Sequence, residues 1–306
     1  MERLLRFTAD GIAYSVRPTR SSVDVLLVAT PGNGLCKECF DDFVDAVPEQ
    51  WAVQIDLTGH GASRGPTPEW EDDEYLYRYG LDIIAVIDAF AKEFGTPRFK
   101  MAVAHSMGAK ASLWAQIQRA GVFDAFVLVE PIAFPPRKAR TAAERQKEPF
   151  HVMTLKRKNA FASPEAVVQS FTGRGIFARW TPSTLKKYAT HGFKRDEATS
   201  GVVLACKREW EARNFAANDN TLYNAALSVV RPSALCVVVG KDSTNLDGFP
   251  GYKGTVAYYD AMCADFKCDE IVVPNATHSL PFEAPGIAAL VDIVRRKIVS
   301  TRGSKL

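Results

Sequence analysis

The sequence lacks a run of apolar residues long enough to cross a membrane, since a spanning helix needs about 18 or more of them in succession. Cysteine is also scarce, with six among 306 residues. No apolar stretch of the secretory type follows Met1-Glu2-Arg3. We therefore expect free thiols rather than a disulfide framework, and no membrane span.

Neither sign of charge is in large excess. Lys and Arg number 38 against 35 Asp and Glu, which gives a formal net charge of +3. A nucleic acid or an anionic membrane as partner would favour a strongly basic chain, so we expect neither. The distribution is nevertheless uneven, because residues 131–200 hold 14 Lys and Arg against 5 Asp and Glu.

Motifs for metals and cofactors are rare as well. Cys36-Lys37-Glu38-Cys39 has the spacing of a zinc or redox pair, but it has no second pair at metal-ligand spacing and lies where a helix is predicted to begin. No glycine loop has the spacing that binds phosphate groups. The sequence therefore predicts no cofactor and no metal.

The chain does contain an alternation of apolar strands and helices. Near-continuous apolar runs, typical of strands buried on both faces, occupy 25–29, 51–55, 101–104, 125–129, 235–239 and 271–273. Helices are predicted at 39–46, 79–94, 107–120, 255–266 and 286–299. A hairpin of 4–7 and 12–16 precedes them. This order predicts an α/β fold with a mostly parallel sheet and helices on both faces.

The alternation stops between residues 132 and 231. This interval contains two helix starts with proline in the first turn, Ser163-Pro164 and Thr181-Pro182, but no convincing strand pattern. We therefore predict a mainly helical cap, residues 132–231, inserted into a core formed by residues 1–131 and 232–306.

The strongest local motif is Ala104-His105-Ser106-Met107-Gly108, between a predicted strand and a predicted helix. It matches a nucleophile elbow, except that Ala104 occupies the first glycine position. A serine hydroxyl is a weak nucleophile at neutral pH, so it needs a base and an acid that orients the base. We predict Ser106 as the nucleophile.

The base and the acid should follow the nucleophile in the chain. Of the five histidines, only His278 lies in a loop after the last apolar strand, so it is the predicted base. Two acids are open: Glu130 ends the strand after the elbow helix, and Asp242 follows the next strand.

A tetrahedral intermediate also needs backbone N–H groups for its negatively charged oxygen. Met107, directly after the nucleophile, is one predicted donor. The second should lie in the loop after the first buried strand, whose glycines let the backbone approach a substrate closely. We predict it among Asn33, Gly34 and Leu35.

With these motifs the chain resembles the α/β-hydrolase superfamily over its whole length. Pro31-Gly32-Asn33-Gly34-Leu35-Cys36-Lys37-Glu38 also resembles His-Ala-Asn-Gly-Phe-Pro-Lys-Glu of a mainly fungal group, which includes toxin-biosynthesis hydrolases and the peroxisomal acyl-CoA hydrolase of mycophenolic acid biosynthesis. In that group the acid follows the strand after the nucleophile, which implies Glu130. Many other relatives carry it three residues after Gly240, where this chain has Ser243. We therefore favour Glu130 over Asp242.

The resemblance implies a hydrolase that forms an acyl-Ser106 intermediate from an ester or thioester. Acyl-CoA is the favoured substrate class, because a basic cap would attract the phosphates of CoA. The cations concerned are Arg137, Lys138, Arg140, Lys156, Arg157 and Lys158. Two alternatives stay open: a carboxylesterase or lipase-like enzyme for uncharged esters, whose cap cations are ordinary solvated surface, and a non-catalytic binding protein of the same fold.

Residues 304–306 are Ser304-Lys305-Leu306, the tripeptide that the peroxisomal import receptor binds at a carboxyl terminus. We therefore expect this receptor as a partner and a peroxisomal location. The expected location is cytoplasmic if the tripeptide is not bound.

Overall fold

The computed structural model describes residues 3–19, 23–67, 70, 75–133, 141–217, 221–247 and 254–303. Elements are numbered in chain order. The central sheet contains β1 (Leu4–Phe7), β2 (Ala13–Arg17), β3 (Val25–Thr30), β4 (Trp51–Ile55), β5 (Phe99–His105), β6 (Ala125–Val129), β10 (Leu235–Gly240) and β11 (Asp269–Val273). Their spatial order is β1-β2-β4-β3-β5-β6-β10-β11. Only the β1/β2 and β2/β4 pairs are antiparallel, so the mostly parallel sheet predicted from the sequence is confirmed.

Helices cover both faces of this sheet, because side chains of one strand alternate between two apolar layers. Leu26 and Val28 of β3 lie in one layer, with α2 (Arg78–Phe94), α3 (Met107–Gln118) and α10 (Thr255–Phe266). Leu27 and Ala29 lie in the other, with α1 (Asp41–Asp45) and α11 (Ala284–Gly303). This arrangement confirms the predicted fold class. None of the described helices has the length and apolar character of a membrane span.

The segment between β6 and β10, here called the cap segment (residues 132–231), carries six of the described helices. They are α4 (Ala142–Gln146), α5 (Pro149–Lys156), α6 (Pro164–Phe171), α7 (Pro182–His191), α8 (Arg208–Ala216) and α9 (Leu222–Val229). Ser163 and Thr181 cap α6 and α7, and each helix has proline in its first turn, as the sequence predicted. The division of the chain into core and cap at these boundaries stays a prediction.

The sequence predicted no strand in the cap segment, and the structure shows three. β7 (Ala160–Phe161), β8 (Phe193–Arg195) and β9 (Val202–Leu204) form an antiparallel sheet in the order β7-β9-β8. Strands of two or three residues are too short to show the alternation of apolar and polar residues by which strands are identified.

The parallel strands place the candidate site at one edge of the central sheet. β3, β5, β6 and β10 run in the same direction, so the loops that follow them meet at their carboxyl ends. Ligands in open α/β sheets bind in the crevice at this edge.

Candidate active site

Ser106 forms a sharp turn between β5 and α3. Its φ of 53° and ψ of −114° lie in a region that residues with side chains rarely adopt, and its N–H donates to the Val129 carbonyl at 2.9 Å. Gly108 makes the turn possible, because a Cβ there would collide with the carbonyl oxygens of Thr30 and Pro31. The local geometry is that of a strand-turn-helix elbow.

Glu130 directly follows the neighbouring strand β6, beside this elbow. His105 and Val129 are register partners in β5 and β6, so Ser106 and Glu130 follow directly at adjacent strand ends. Glu130 also has a positive φ, 44°, and its side chain is fully buried. Such strain persists only where surrounding contacts fix the residue.

The Glu130 carboxylate binds the ring of His278. Oε2 lies 2.6 Å from His278 Nδ1 and accepts a hydrogen bond from Ser243 Oγ at 2.7 Å, and Oε1 accepts one from Gly240 N at 3.0 Å. An ionised carboxylate can only accept, so Nδ1 carries the ring proton and donates it. Nε2 then keeps the lone pair that a general base needs.

Asp242, the alternative acid, has another partner. Its carboxylate lies 2.6 Å from Arg179 Nη1, and both side chains are exposed. The structure therefore brings Glu130 to the ring of His278.

His105 joins the elbow to the His278 loop. Its Nε2 lies 2.9 Å from the His278 carbonyl oxygen and must carry the proton of that hydrogen bond, and the centroids of the two rings are 4.7 Å apart. Burial lowers the pKa of His105 well below its ordinary value, so the ring is neutral. His105 positions the loop of the predicted base and carries no charge into the site.

Glu283 and the cap segment also contact the His278 loop. The Glu283 carboxylate accepts hydrogen bonds from the Thr277 N–H at 3.0 Å and from the Thr277 hydroxyl. Ser279 Oγ donates to the Ile176 carbonyl at 3.1 Å. The base is therefore placed by contacts to both the sheet and the cap segment.

The loop after β3 offers one free N–H among its three predicted donors. Leu35 N donates to the Gly32 carbonyl at 3.3 Å, and the Gly34 N–H faces the buried Cys206 thiol, whose pKa it lowers against the larger effect of burial. Within the part of the chain that the structure describes, the Asn33 N–H has no acceptor. The loop lies against the elbow, since a Cβ on Gly32 would be 3.2 Å from Ser106 Cβ.

Met107 supplies the second available N–H. It is the first residue of α3, and N–H groups in the first turn of a helix have no partner within the helix. Asn33 and Met107 thus present free N–H groups on the two chain segments that meet at Ser106.

The predicted substrate-binding cations are not equivalent. Lys156 and Lys158 are exposed, and Lys158 Nζ lies 4.5 Å from the centre of the Phe161 ring. Arg157 instead pairs with Glu211, at 3.0 Å and 2.6 Å from the two carboxylate oxygens. Arg137, Lys138 and Arg140 lie outside the described residues, as do Ser304, Lys305 and Leu306.

Cys36 and Cys39 are both buried, and their sulfur atoms are 3.8 Å apart. Burial raises the pKa of the Cys36 thiol well above its ordinary value, so it stays protonated. Among the described residues, His, Cys, Asp and Glu form no group of three or more that could bind a metal ion.

Sequence reasoning did not identify the residues that hold the catalytic candidates in place. Ser243 was noted only as the residue at another acid position, and Glu283, Glu211 and Asn214 were not singled out. Their partners lie far away in the chain or belong to no motif, so no local pattern marks them.

A family model described as "Alpha/beta hydrolase family" matches residues 25–290. A comparison with curated protein sequences finds no significant match.

Similar solved structures share the fold at low sequence identity. E-2-(acetamidomethylene)succinate hydrolase is 19% identical with a TM-score of 0.72, over 97% of this chain and 99% of its own. The peroxisomal alpha-beta-hydrolase Lpx1 from Saccharomyces cerevisiae is 17% identical with a TM-score of 0.70, over 94% and 81%. The thioesterase domain from the curacin biosynthetic pathway is 17% identical with a TM-score of 0.68, over 96% and 99%. The narrower resemblance to the fungal group stays a prediction. Because the family model covers most of the sequence, this chain belongs to the alpha/beta hydrolase family.

Proposed function

We propose that this protein is a serine hydrolase that cleaves an ester or thioester through an acyl-Ser106 intermediate. The observation that carries the proposal is the 2.6 Å contact between His278 Nδ1 and Glu130, at the strand end beside Ser106. A buried carboxylate on Nδ1 selects the tautomer in which Nε2 can accept a proton from a serine hydroxyl.

In the first half of the reaction, His278 Nε2 removes the proton of Ser106, and Oγ attacks the substrate carbonyl carbon. The negatively charged oxygen of the tetrahedral intermediate accepts hydrogen bonds from the N–H groups of Met107 and Asn33. Glu130 stabilises the imidazolium. His278 then donates its proton to the departing alcohol or thiol, which leaves an acyl-Ser106 ester.

The second half repeats these steps with water. His278 accepts a proton from a water molecule, whose oxygen attacks the acyl carbon, and the same two N–H groups stabilise the new oxyanion. The proton returns to Ser106 Oγ as the carboxylic acid leaves. One ester or thioester and one water thus give one acid and one alcohol or thiol.

Substitution of the two reacting side chains tests this function. Ser106→Ala and His278→Ala should each reduce hydrolysis of p-nitrophenyl acetate by about 10⁴-fold or more with little change in thermal stability, because the triad acts as a unit. A fluorophosphonate probe should label the wild type but not Ser106→Ala. Ser112→Ala is the matched control, since Ser112 lies on α3 with its hydroxyl bonded to the Gly108 carbonyl.

Equal probe labelling of Ser106→Ala and the wild type would contradict the assignment of the nucleophile. A wild-type protein that takes up no probe and hydrolyses no ester would favour the non-catalytic alternative.

For the substrate class we propose an acyl-CoA thioester. The exposed Lys156 and Lys158 support it, because cations on the cap segment would attract the phosphates of CoA. The alternative is an uncharged ester. A panel of acyl-CoA thioesters and p-nitrophenyl esters with matched acyl chains separates the two: a kcat/KM at least about tenfold higher for the thioesters favours acyl-CoA, and the reverse favours a carboxylesterase.

For the location we propose the peroxisome, on the basis of Ser304-Lys305-Leu306. A fluorescent protein fused to the amino terminus should give a punctate pattern that coincides with a peroxisomal marker. Deletion of Leu306 should make the fluorescence diffuse. A diffuse pattern from the full-length fusion would exclude import through this tripeptide.

A further inference from the structure

The side chain of Asn33 is held by the cap segment. Asn33 Nδ2 donates to the Glu211 carbonyl at 2.9 Å, and Asn33 Oδ1 accepts a hydrogen bond from Asn214 Nδ2 at 2.9 Å. Both partners belong to α8, three residues apart and therefore on one face of the helix. The residue whose N–H is free beside Ser106 is thus tied through its side chain to a helix about 180 residues away in the sequence.

The Asn214 side chain lies between Asn33 and two buried tyrosines. Its Oδ1 accepts hydrogen bonds from Tyr75 at 2.7 Å and from Tyr79 at 3.0 Å. The Glu211 carbonyl can only accept, so Asn33 turns its Nδ2 to that carbonyl and its Oδ1 to Asn214. The acceptor Oδ1 of Asn33 requires a donor, so Asn214 presents Nδ2 to Asn33 and Oδ1 to the tyrosine hydroxyls.

His60 does not replace this donor. Its Nε2 lies 3.3 Å from Asn33 Oδ1, and its Nδ1 lies 3.0 Å from the Thr58 carbonyl. Burial lowers the pKa of His60 to about 4, so the ring is neutral at pH 7, and its one proton is on Nδ1, where it meets the carbonyl. Nε2 then presents a lone pair, and Asn214 is the donor to Asn33 Oδ1 among the described residues.

Glu211 restricts the loop at its next residue. A Cβ on Gly34 would lie 2.5 Å from Glu211 Oε1, so the carboxylate is in contact with the loop backbone. Glu211 is 4% exposed and is held in turn by Arg157. The loop after β3 is therefore bounded by α8 at two successive residues, Asn33 and Gly34.

From these contacts we infer that Asn214 is a positioning residue for the oxyanion hole, acting through the Asn33 side chain to hold the Asn33 N–H in place. The inference rests on the proposed function. It makes stabilisation of the transition state depend on α8 of the cap segment, although α8 supplies no group that touches the reacting atoms. A donor displaced by about 1 Å already weakens transition-state stabilisation.

Two substitutions at Asn214 test the inference. Asn214→Ala removes the donor, and Asn214→Asp keeps the shape and the acceptor for both tyrosines while it removes the donor to Asn33. Each should lower kcat for p-nitrophenyl acetate by about 10- to 100-fold and change KM by less than about threefold, a smaller loss than deletion of an oxyanion donor itself. The inhibition constant of a trifluoromethyl ketone, which mimics the tetrahedral intermediate, should rise by the same factor.

A double-mutant cycle shows whether Asn214 acts through Asn33. Asn33→Ala keeps the backbone N–H but loses both side-chain contacts, so it should lower kcat to a similar extent. The double variant Asn33→Ala/Asn214→Ala should be no slower than the slower single variant, because the second substitution removes a contact already lost. Multiplicative losses would overturn the inference.

Thr184→Ala is the matched control for general damage to the cap segment. Thr184 is fully buried on α7, and its hydroxyl donates to Asp42 of α1 at 3.0 Å rather than to Asn33 or Gly34. It should lower the melting temperature and leave kcat within about twofold. An equal loss of kcat in Thr184→Ala, or a loss in Asn214→Asp without the parallel change in ketone affinity, would show a merely structural role and overturn the inference.

The inference and the proposed function fail separately. Normal ester turnover and probe labelling in both the wild type and the Asn214 variants would overturn the inference alone. A wild type without turnover or labelling would overturn the proposed function and the inference with it.

Discussion

At the scale of single residues, backbone strain is concentrated at the candidate site. Of the four described residues other than glycine that have positive φ, Ser106 and Glu130 stand side by side at two strand ends. The other two, Lys267 and Asn275, lie in a helix cap and a turn. Strained backbone costs about 1–3 kcal/mol per residue and persists where function or packing over-determines it. Here it lies at the two strand ends that carry the proposed nucleophile and the carboxylate bound to His278.

The role of Glu130 gives a sharp prediction. Glu130→Gln keeps the shape of the side chain, but its amide nitrogen can donate to the ring and so favours the tautomer with the proton on Nε2. We expect a loss in kcat of about 10² to 10⁴-fold for p-nitrophenyl acetate, with KM little changed.

Asp242→Asn is the paired test for the alternative acid. It breaks only the exposed ion pair with Arg179, so kcat should fall by less than about tenfold. A larger loss in Asp242→Asn than in Glu130→Gln would reverse the assignment of the acid.

The sequence predicted the residues of this site to the extent that they belong to local motifs. Ser106 has its elbow, and His278 has its place after the last strand. The choice of Asn33 among the three loop residues depends on what the other two N–H groups face, the Gly32 carbonyl and the Cys206 thiol, and only the fold shows these neighbours. Asn214 is 181 residues from its partner Asn33, so chain order carries no information about their contact.

At the scale of elements, the sequence predicted best those strands that are buried on both faces. β4 and β6 have the bounds expected from their apolar runs, Trp51–Ile55 and Ala125–Val129. The three strands of the cap segment were missed because each is two or three residues long. A strand of that length is defined by its hydrogen bonds to an adjacent strand rather than by the pattern of its own residues.

The basic part of the cap segment gives a prediction about substrate recognition. Lys156→Glu/Lys158→Glu should raise KM for a CoA thioester several-fold at low salt, because the two exposed cations would no longer attract phosphate groups. The effect should shrink as salt rises, since the Debye length falls from about 10 Å at 0.1 M to about 3 Å at 1 M. KM for an uncharged ester should stay the same. Arg157 is left intact because its loss would leave the buried Glu211 carboxylate unpaired.

Lys194→Glu/Arg195→Glu is the control with the same change in net charge. Both side chains are exposed on β8. If Lys194→Glu/Arg195→Glu raises KM for the thioester as much as Lys156→Glu/Lys158→Glu does, the effect comes from the net charge of the protein rather than from a local phosphate-binding site. Equal effects on the charged and the uncharged substrate would contradict phosphate recognition.

At the scale of the whole molecule, buried ionisable groups make stability depend on pH. Burial raises the pKa of Asp82 to about 7 and that of Glu211 to about 7. A carboxyl whose pKa is higher in the folded protein than in the unfolded chain ionises first in the unfolded chain as pH rises. Between the two pKa values this ionisation favours the unfolded chain and lowers the free energy of unfolding. The contribution of the carboxyl to stability is therefore complete below its pKa in the unfolded chain, and it is lost as the pH rises to its pKa in the folded protein.

Asp82 allows this effect to be measured by itself. Its carboxyl accepts hydrogen bonds from Thr58 N at 2.8 Å and from Thr58 Oγ1 at 3.0 Å. Asp82→Asn can keep both contacts, because the amide oxygen accepts from the N–H and the amide nitrogen donates to the hydroxyl. The variant cannot ionise, so it should escape the loss of stability that the wild type undergoes between about pH 4 and pH 7.

The measurement is the free energy of unfolding in urea at a series of pH values. Relative to Asp82→Asn, the wild type should lose about 1.36 kcal/mol per pH unit across this interval and should show a constant difference above it. Asp88→Asn is the control on the same helix, since Asp88 is 58% exposed and pairs with Arg119 at the surface; its curve should run parallel to that of the wild type. Parallel curves for Asp82→Asn and the wild type would contradict the raised pKa of Asp82 in the folded protein.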